Sequence, residues 1–220
     1  MKRRHFSLFR EVFPNFAYMT YIREIRRSLA DCNTILDIGC GGSSPLRFVA
    51  CKRLVGVDGW RPNVLAATRN LTHDEIVECR IENLRDHFLG ATFDAAVAMD
   101  VIEHLTKENG LRLLEVMAEI ATRKMIIFTP NGFLPQRSER GDLEEHLSGW
   151  DVQEMRKLGF EVTGMYGYKR LRGEKQGLVH RPKLLWGIVS EATHYIWTRC
   201  RPELAAAIFC VKQVAGKTGG

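Results

Sequence analysis

What the sequence lacks narrows its class before any motif is read. No apolar run approaches the ~18 residues that a membrane-spanning helix requires. The opening "MKRRHFSLFREVFPNF" is basic but has no continuous apolar core of the kind a signal peptide carries. The six cysteines, at 32, 40, 51, 79, 200 and 210, form no CxxC pair and no zinc-ligand spacing. They read as reduced thiols, which points to a soluble cytoplasmic protein rather than a disulfide-stapled secreted one. An extreme charge balance is missing too: 32 Lys plus Arg stand against 26 Asp plus Glu, a formal charge of +6. That excess favours anionic partners slightly but is too small to diagnose nucleic-acid binding. There is no internal repeat and no clear domain boundary. The late "GKT" is not a phosphate loop, because it lacks the upstream glycine and a following helix.

What remains is a chain of 220 residues, 45% apolar and 26% charged, which fits one α/β domain over 1–220. Residues 16–30 carry apolar side chains at 18, 22, 25 and 29, a helical spacing. Short β-branched runs at 34–38, 54–58, 76–81, 93–99 and 125–129 then alternate with stretches suited to helices, the clearest striped by Leu113, Val116, Met117 and Ile120. Such alternation predicts a parallel sheet covered on both faces. After 129 the rhythm changes. "PNGFLPQRSERGDLEEHLSG" is a loop long enough to expect a function of it. "WDVQEMRKLGF" reads as a helix stopping at Gly159, "FEVTGMYGY" as a strand and "LAAAIFCVK" as the final strand. Between those two strands, residues 169–203 form an insertion with six Lys or Arg between 169 and 183 against one Glu. A helical stretch follows with 185, 188, 189, 192 and 196 on one face.

The chemistry starts at "LDIGCGGSSP", Leu36 to Pro45. At the end of a central parallel strand the chain must turn sharply into a helix, and glycine permits the unusual dihedrals while letting a ligand touch the backbone. Asp58 ends the next strand, 19 residues after Gly39, where a carboxylate can accept hydrogen bonds from two ribose hydroxyls. Dinucleotide and S-adenosylmethionine sites share this layout. A dinucleotide sets its pyrophosphate against the helix start, where the carboxylate of Asp37 would repel it. S-adenosylmethionine carries a cationic ammonium and sulfonium instead, so the acid selects that donor over a nicotinamide cofactor.

Taken together, "LDIGCGGSSP", "LVGVD", "FDAAVAMDVIEHL" and "FTPNG" resemble, in order, the motifs of class I S-adenosylmethionine-dependent methyltransferases over roughly residues 30–168. The resemblance implies a Rossmann-like, doubly wound seven-stranded sheet, mostly parallel with an antiparallel last strand. An N-terminal helix and a helical insertion near the C-terminus would flank a core at about 30–168 and 204–212. It implies that Asp37, Gly39 and Gly41, with Cys40 between them, line the methionine part of the cofactor and that Asp58 holds the ribose. Gly59, Trp60 and the backbone of Ile81 would flank the adenine, and Asp100 would reach the same sheet edge. Two departures stand out: Ser43 replaces the third glycine of the family's DxGxGxG pattern, and Arg80 or Glu82 stands where relatives often bind the adenine amine with Asp.

On the acceptor side, "DVIEHL" offers Glu103 and His104 as catalytic candidates. Methyl transfer from a sulfonium is an in-line displacement in which alignment does most of the work. A base is needed only when the acceptor must lose a proton, and histidine suits that task. Some quinone-pathway and small-RNA methyltransferases hold a divalent metal with an acid-x-x-Glu-His arrangement, so Asp100, Glu103 and His104, with His146 as a fourth ligand, define a magnesium or manganese alternative. The sequence reading allows that metal and does not favour it, because "EH" is widespread in relatives without one. His146 and Trp150 in "HLSGW" resemble a loop that closes over the acceptor in some family members, and are taken as substrate-binding candidates.

The expected function is methyl transfer to a small-molecule acceptor at oxygen. Alternatives are RNA 2′-O-methylation, motivated by the basic segments 2–10 and 169–183, and a catalytically silent cofactor-binding partner or scaffold. The basic, aromatic insertion raises peripheral contact with an anionic membrane or a lipid-linked substrate, against the ordinary expectation that such a helix packs on its own domain. Nucleic acid is the less favoured partner. Oligomeric state and the identity of the acceptor are left open by the sequence.

Overall fold

The structure, a computed structural model, describes residues 16–135, 145–173 and 177–214. The basic segment 2–10 and the middle of the 133–148 loop lie outside them. In chain order the elements are α1 (Phe16–Ser28), β1 (Thr34–Ile38), β2 (Arg53–Asp58), α2 (Arg61–Asn70), β3 (Glu75–Glu78), α3 (Leu84–His87), β4 (Phe93–Met99), α4 (Lys107–Ile120), β5 (Ala121–Pro130), α5 (Val152–Lys157), β6 (Glu161–Tyr168), α6 (Lys183–Thr193) and β7 (Ala205–Gln213). The seven strands form one sheet in the order β3-β2-β1-β4-β5-β7-β6. β1 to β5 pair in parallel, and β7 inserts antiparallel between β5 and β6. This is the Rossmann-like sheet with a reversed last strand that the sequence implies.

Period-two alternation along each strand builds two apolar layers. Leu36, Ile38, Ala96, Ala98 and Ile127 face one side, where Leu113, Met117, Val152 and Met155 of α4 and α5 cover them. Ile35, Ala95, Val97, Ile126 and Phe128 face the other, beneath Tyr21, Ile22, Ile25 and Leu29 of the N-terminal helix and the residue after it. Burial on both faces explains why these strands read as continuous apolar runs.

One expectation fails at the first crossover. The chain leaves β1 through the glycines but forms only a single 3-10 turn, Pro45–Phe48, before β2. Pro45 supplies no N–H, and the Ser44 hydroxyl accepts from the Leu46 N–H at 3.0 Å, so the turn is capped at once. With β2 starting at Arg53, no α-helix follows the glycine loop.

A second expectation fails at Trp150. Its indole is fully buried in the layer under α4 and α5, not on a loop over an acceptor. Its Nε1 donates to Ser148 Oγ at 2.9 Å, and Lys107 Nζ sits 3.5 Å from the ring centroid. Helix α4 approaches so closely that a Cβ on Gly110 would lie 2.5 Å from the indole. Trp150 is therefore the keystone that joins the far loop to the core. Trp150→Ala should lower unfolding free energy by ~3–5 kcal/mol, read from the urea midpoint at unchanged slope; a loss below ~1 kcal/mol would contradict this placement.

Candidate active site

Where the crossovers leave the carboxyl ends of β1, β2 and β4, the backbone cannot close, and a cavity of about 550 Å³ opens. Of the residues expected to bind cofactor, Gly39, Gly41, Asp58, Gly59, Trp60, Ile81 and Asp100 line it, and so does His104. Gly39 is required twice over: its φ is +70°, and a Cβ there would lie 2.5 Å from Val101 Cγ2. Gly41 also has positive φ, +57°, but nothing lies within 4 Å of its missing Cβ. There the space is open for a ligand to approach the main chain.

Asp58 ties this loop to the next helix. Its Oδ2 accepts from the Gly41 N–H at 2.9 Å and from Asn63 Nδ2 at 3.2 Å, while Oδ1 accepts from the Trp60 N–H at 2.8 Å. A carboxylate has about four acceptor sites, so capacity remains for hydroxyls on the cavity side. Asn63 was not anticipated; its only signal is its place in the first turn after "VDGW". At the outer wall Arg80 and Glu82 pair at 3.8 Å.

Asp37 and Cys40 do not face the cavity. Asp37 is 1% exposed, and its Oδ2 accepts from the Ser44 hydroxyl and from His73 Nε2, the latter at 3.0 Å. The His73 ring is fully buried and reaches across β2 because Gly56, the direct partner of Asp37 in the sheet, has no side chain; a Cβ there would lie 2.9 Å from the ring. His73 Nδ1 in turn meets the Thr72 hydroxyl at 2.8 Å. The acid that distinguishes the two cofactor classes is thus spent on anchoring the loop, and the acids that face the ligand space are Asp58, Glu82 and Asp100. The Cys40 thiol packs under Gly56, and burial raises its pKa far above the ordinary thiol range.

Asp100 sits just past β4 with φ +53°, its N–H donating to the Phe128 carbonyl at 2.9 Å. A left-handed aspartate is among the less costly non-glycine cases. Asp100 lines the cavity with its surface accessible to solvent there, and desolvation by the surrounding protein lifts its pKa to about 7. Glu103, in the 3-10 turn Ile102–His104, is 2% exposed; desolvation, then the Asp100 charge, raises it to about 8, and Thr129 donates to its Oε2 at 2.9 Å.

The backbone of Glu103 brings in the distant loop. Its carbonyl accepts from the Leu147 N–H at 2.8 Å and the Ser148 N–H at 3.1 Å. That places His146 beside His104, ring centroids 4.8 Å apart. One donor atom each from Glu103, His104 and His146 lies within 4.8 Å of the others. Asp100 is not part of that cluster. His104 Nδ1 lies 3.1 Å from the Glu145 carbonyl and His146 Nδ1 2.6 Å from the Leu134 carbonyl. A carbonyl can only accept, so each Nδ1 carries the proton, and in the neutral rings the lone pair is on Nε2.

Tyr21, on α1, lies in the apolar layer behind the sheet and outside the cavity lining. It is 2% exposed, its ring centroid is 4.4 Å from that of Phe128, and its hydroxyl has no hydrogen-bond partner among the described residues. Burial first, then the nearby Asp100 charge, push the phenol well above its usual range.

Comparison with known proteins bears on the fold. Residues 36–124 match the family described as a methyltransferase domain. The methyltransferase domain of bacterial CtHen1 shares the fold at 16% identity and a TM-score of 0.55, over 88% of this chain and 97% of that one. The plantazolicin methyltransferase BpumL, in complex with SAH, does so at 16% and 0.54, over 94% and 87%. A SAM-dependent methyltransferase from Archaeoglobus fulgidus does so at 15% and 0.56, over 88% and 91%. No curated protein matches the chain in sequence. The family match covers residues 36–124, and the likeness to these three structures over most of the chain is one of fold. The cavity suits S-adenosylmethionine as a ligand: two positive-φ glycines, a strand-end acid and, among the described residues that line it, no cluster of cations to receive a pyrophosphate.

Two substitutions test the site. Asp58→Ala should weaken S-adenosylmethionine binding by ~1–3 kcal/mol, the loss of charge-assisted hydrogen bonds, measured by calorimetry. Tyr21→Phe removes a buried hydroxyl that lacks a partner, so the ligand-free protein should melt at the same temperature or higher, by up to about 1 kcal/mol in stability. If the hydroxyl serves a ligand, donor or acceptor affinity should fall in the same variant. A lower melting temperature with unchanged affinities would assign the hydroxyl to the fold alone.

Proposed function

We propose that this protein transfers the methyl group of S-adenosylmethionine to an oxygen of a small-molecule acceptor, with His104 as the base. The observation that carries the reading is the hydrogen bond from His104 Nδ1 to the Glu145 carbonyl, which leaves the basic lone pair on Nε2 of a residue in the cavity wall. Asp58 with the open backbone at Gly41 would hold the donor's ribose and methionine, and Gly59, Trp60 and Ile81 its adenine. The bound donor supplies a methyl group already activated by its positive sulfur. Asp100 and His104 then align the acceptor. Its oxygen forms the new C–O bond as the C–S bond breaks, the bonding pair stays on sulfur, and the acceptor's proton passes to His104 Nε2. Six unpaired thiols suit a reducing cytoplasm.

A second reading has an observation of its own. The Glu103, His104 and His146 donors converge within 4.8 Å, and both imidazoles are oriented through Nδ1 by a carbonyl, as metal-bound histidines commonly are. A divalent cation of the manganese type fits a carboxylate and two imidazoles. It would supply Lewis-acid polarisation of the acceptor oxygen. The convergence makes this alternative stronger than the sequence alone did.

Incubation with methyl-labelled S-adenosylmethionine and a metabolite extract should place label in small molecules, as an alkali-stable ether or an ester. Label confined to RNA or protein would overturn the acceptor class. His104→Ala should lower the rate constant by ~10²–10⁴ at unchanged donor affinity. His146 separates the two roles. If His104 acts alone as a base, activity survives chelator and His146→Ala is mild. If a cation is held, calorimetry detects manganese uptake that His146→Ala abolishes together with activity.

A further inference from the structure

The insertion leaves an apolar face without a partner. Within α6 and the π-helical segment His194–Thr198 that continues it, the buried side chains are Ser190, His194 and Thr198. All the buried residues belong to the inner face, which is bonded to the domain. Ser190 Oγ donates to the Tyr166 carbonyl at 3.0 Å, and the Glu191 carboxylate accepts the Thr20 hydroxyl on α1. The outer face is different in kind. Leu184, Leu185, Ile188 and Ile196 are all at least half exposed, Ile196 to 84%. On a helical wheel of 100° per residue, 184, 188, 192, 195 and 196 fall within one sector with 185. Tyr195 and Trp197 are also nearly half exposed, and Trp197 stacks on Tyr168 at 6.1 Å.

Cations flank this face. Arg181 and Lys183 at its start and Arg201 beyond its end are exposed, as are Lys169 and Arg170 on the preceding turn. Among the described residues, neither Arg181 nor Lys183 forms an ion pair. The one acid of α6, Glu191, points inward to Thr20. A second copy docked by twofold symmetry on this face would set these cations against each other. The face is a convex helix side rather than a groove, and at 11 residues α6 is far too short to cross a bilayer.

We propose that α6 and residues 194–198 form a peripheral docking surface for an anionic lipid bilayer. Leu184, Leu185, Ile188 and Ile196 enter the acyl boundary, Trp197 lies at the interface, and Arg181, Lys183 and Arg201 lie at the level of the headgroup phosphates. The proposal does not depend on which acceptor is methylated.

The test is sedimentation of the full chain with phosphatidylcholine vesicles and with vesicles that also contain phosphatidylglycerol. The protein should pellet with the anionic vesicles alone and be released by salt. Leu184→Glu with Ile188→Glu should reduce vesicle partitioning roughly tenfold or more, and Arg181→Glu with Lys183→Glu should do the same. All four positions are exposed, so both variants should keep the wild-type melting temperature and donor affinity. Wild-type protein that stays in solution with both vesicle types would overturn the proposal. So would pelleting that the variants do not change, or concentration-dependent self-association abolished by Ile188→Glu in place of lipid binding.

Discussion

Glu103 makes contacts in three directions, and through them it joins the cavity wall at His104 to the long loop and to β5. Its carboxylate accepts from Thr129 at the end of β5, its carbonyl accepts from Leu147 and Ser148, and its neighbour His104 faces the cavity. A carbonyl oxygen with two lone pairs can satisfy two N–H groups at once, and here both come from a segment more than 40 positions away. That segment is then locked by Ser148 and Trp150, whose indole donates to the serine hydroxyl while its ring fills the space that Gly110 leaves in α4. Loss of the Glu103 contacts would free His146 and open the core together. Catalytic geometry and stability are coupled at this point, rather than lodged in separate parts of the molecule.

The cavity lining at the ends of β1 and β2 was legible because its signals are local. Two glycines that need positive φ, an acid at the end of the following strand and the fixed crossover geometry of parallel strands are all spelled out between Leu36 and Trp60. Alternation of apolar runs was enough to place the strands, since each side of the sheet is buried under helices. What misled the reading was the assumption that a conspicuous residue touches the ligand. Asp37 and Cys40 sit among the glycines, yet strand periodicity turns the aspartate onto the sheet face, where His73 meets it through the gap at Gly56. Trp150 carried the signature of a loop aromatic and proved to be core. No local pattern announces a contact between positions 37 and 73, or between 110 and 150.

The electrostatic preference for a cationic donor survives the loss of Asp37 from the cavity wall, but its origin moves. Asp58 accepts only neutral N–H donors, from two backbone amides and an asparagine, so its charge is not neutralised by a cation. Asp100, raised to about 7 by desolvation, is held where a positive group would stabilise its ionised form. A phosphorylated cofactor would meet these two carboxylates without a compensating lysine, and Arg80 is already paired with Glu82. Asp37 contributes indirectly: by holding Ser44 and the loop, it fixes the backbone turn that the donor must approach.

The acceptor half has a different architecture from the donor half, and that difference bears on how function varies on this fold. The donor site is assembled from one continuous stretch and its nearest crossovers. The proposed acceptor side draws His104 from the turn after β4 and, beside it, His146 from the long loop, while Tyr166 of β6 packs against Tyr21 and Phe128. Tyr166 itself is braced by Ser190 from the insertion. His104 belongs to the β4 crossover of the parallel core and is held through Nδ1 by the Glu145 carbonyl, whereas His146 comes from outside that core and is held by the Leu134 carbonyl. On the proposed reading, sequence change in either histidine's segment would alter the acceptor while leaving Gly39, Gly41 and Asp58 untouched, a physical basis for one donor serving many acceptors on a shared sheet. The insertion between β6 and β7 is a different case. Ser190, His194 and Thr198 face the domain while Leu184, Leu185, Ile188 and Ile196 face outward, so the contacts that anchor this helix and the surface proposed to meet a bilayer lie on opposite sides of it.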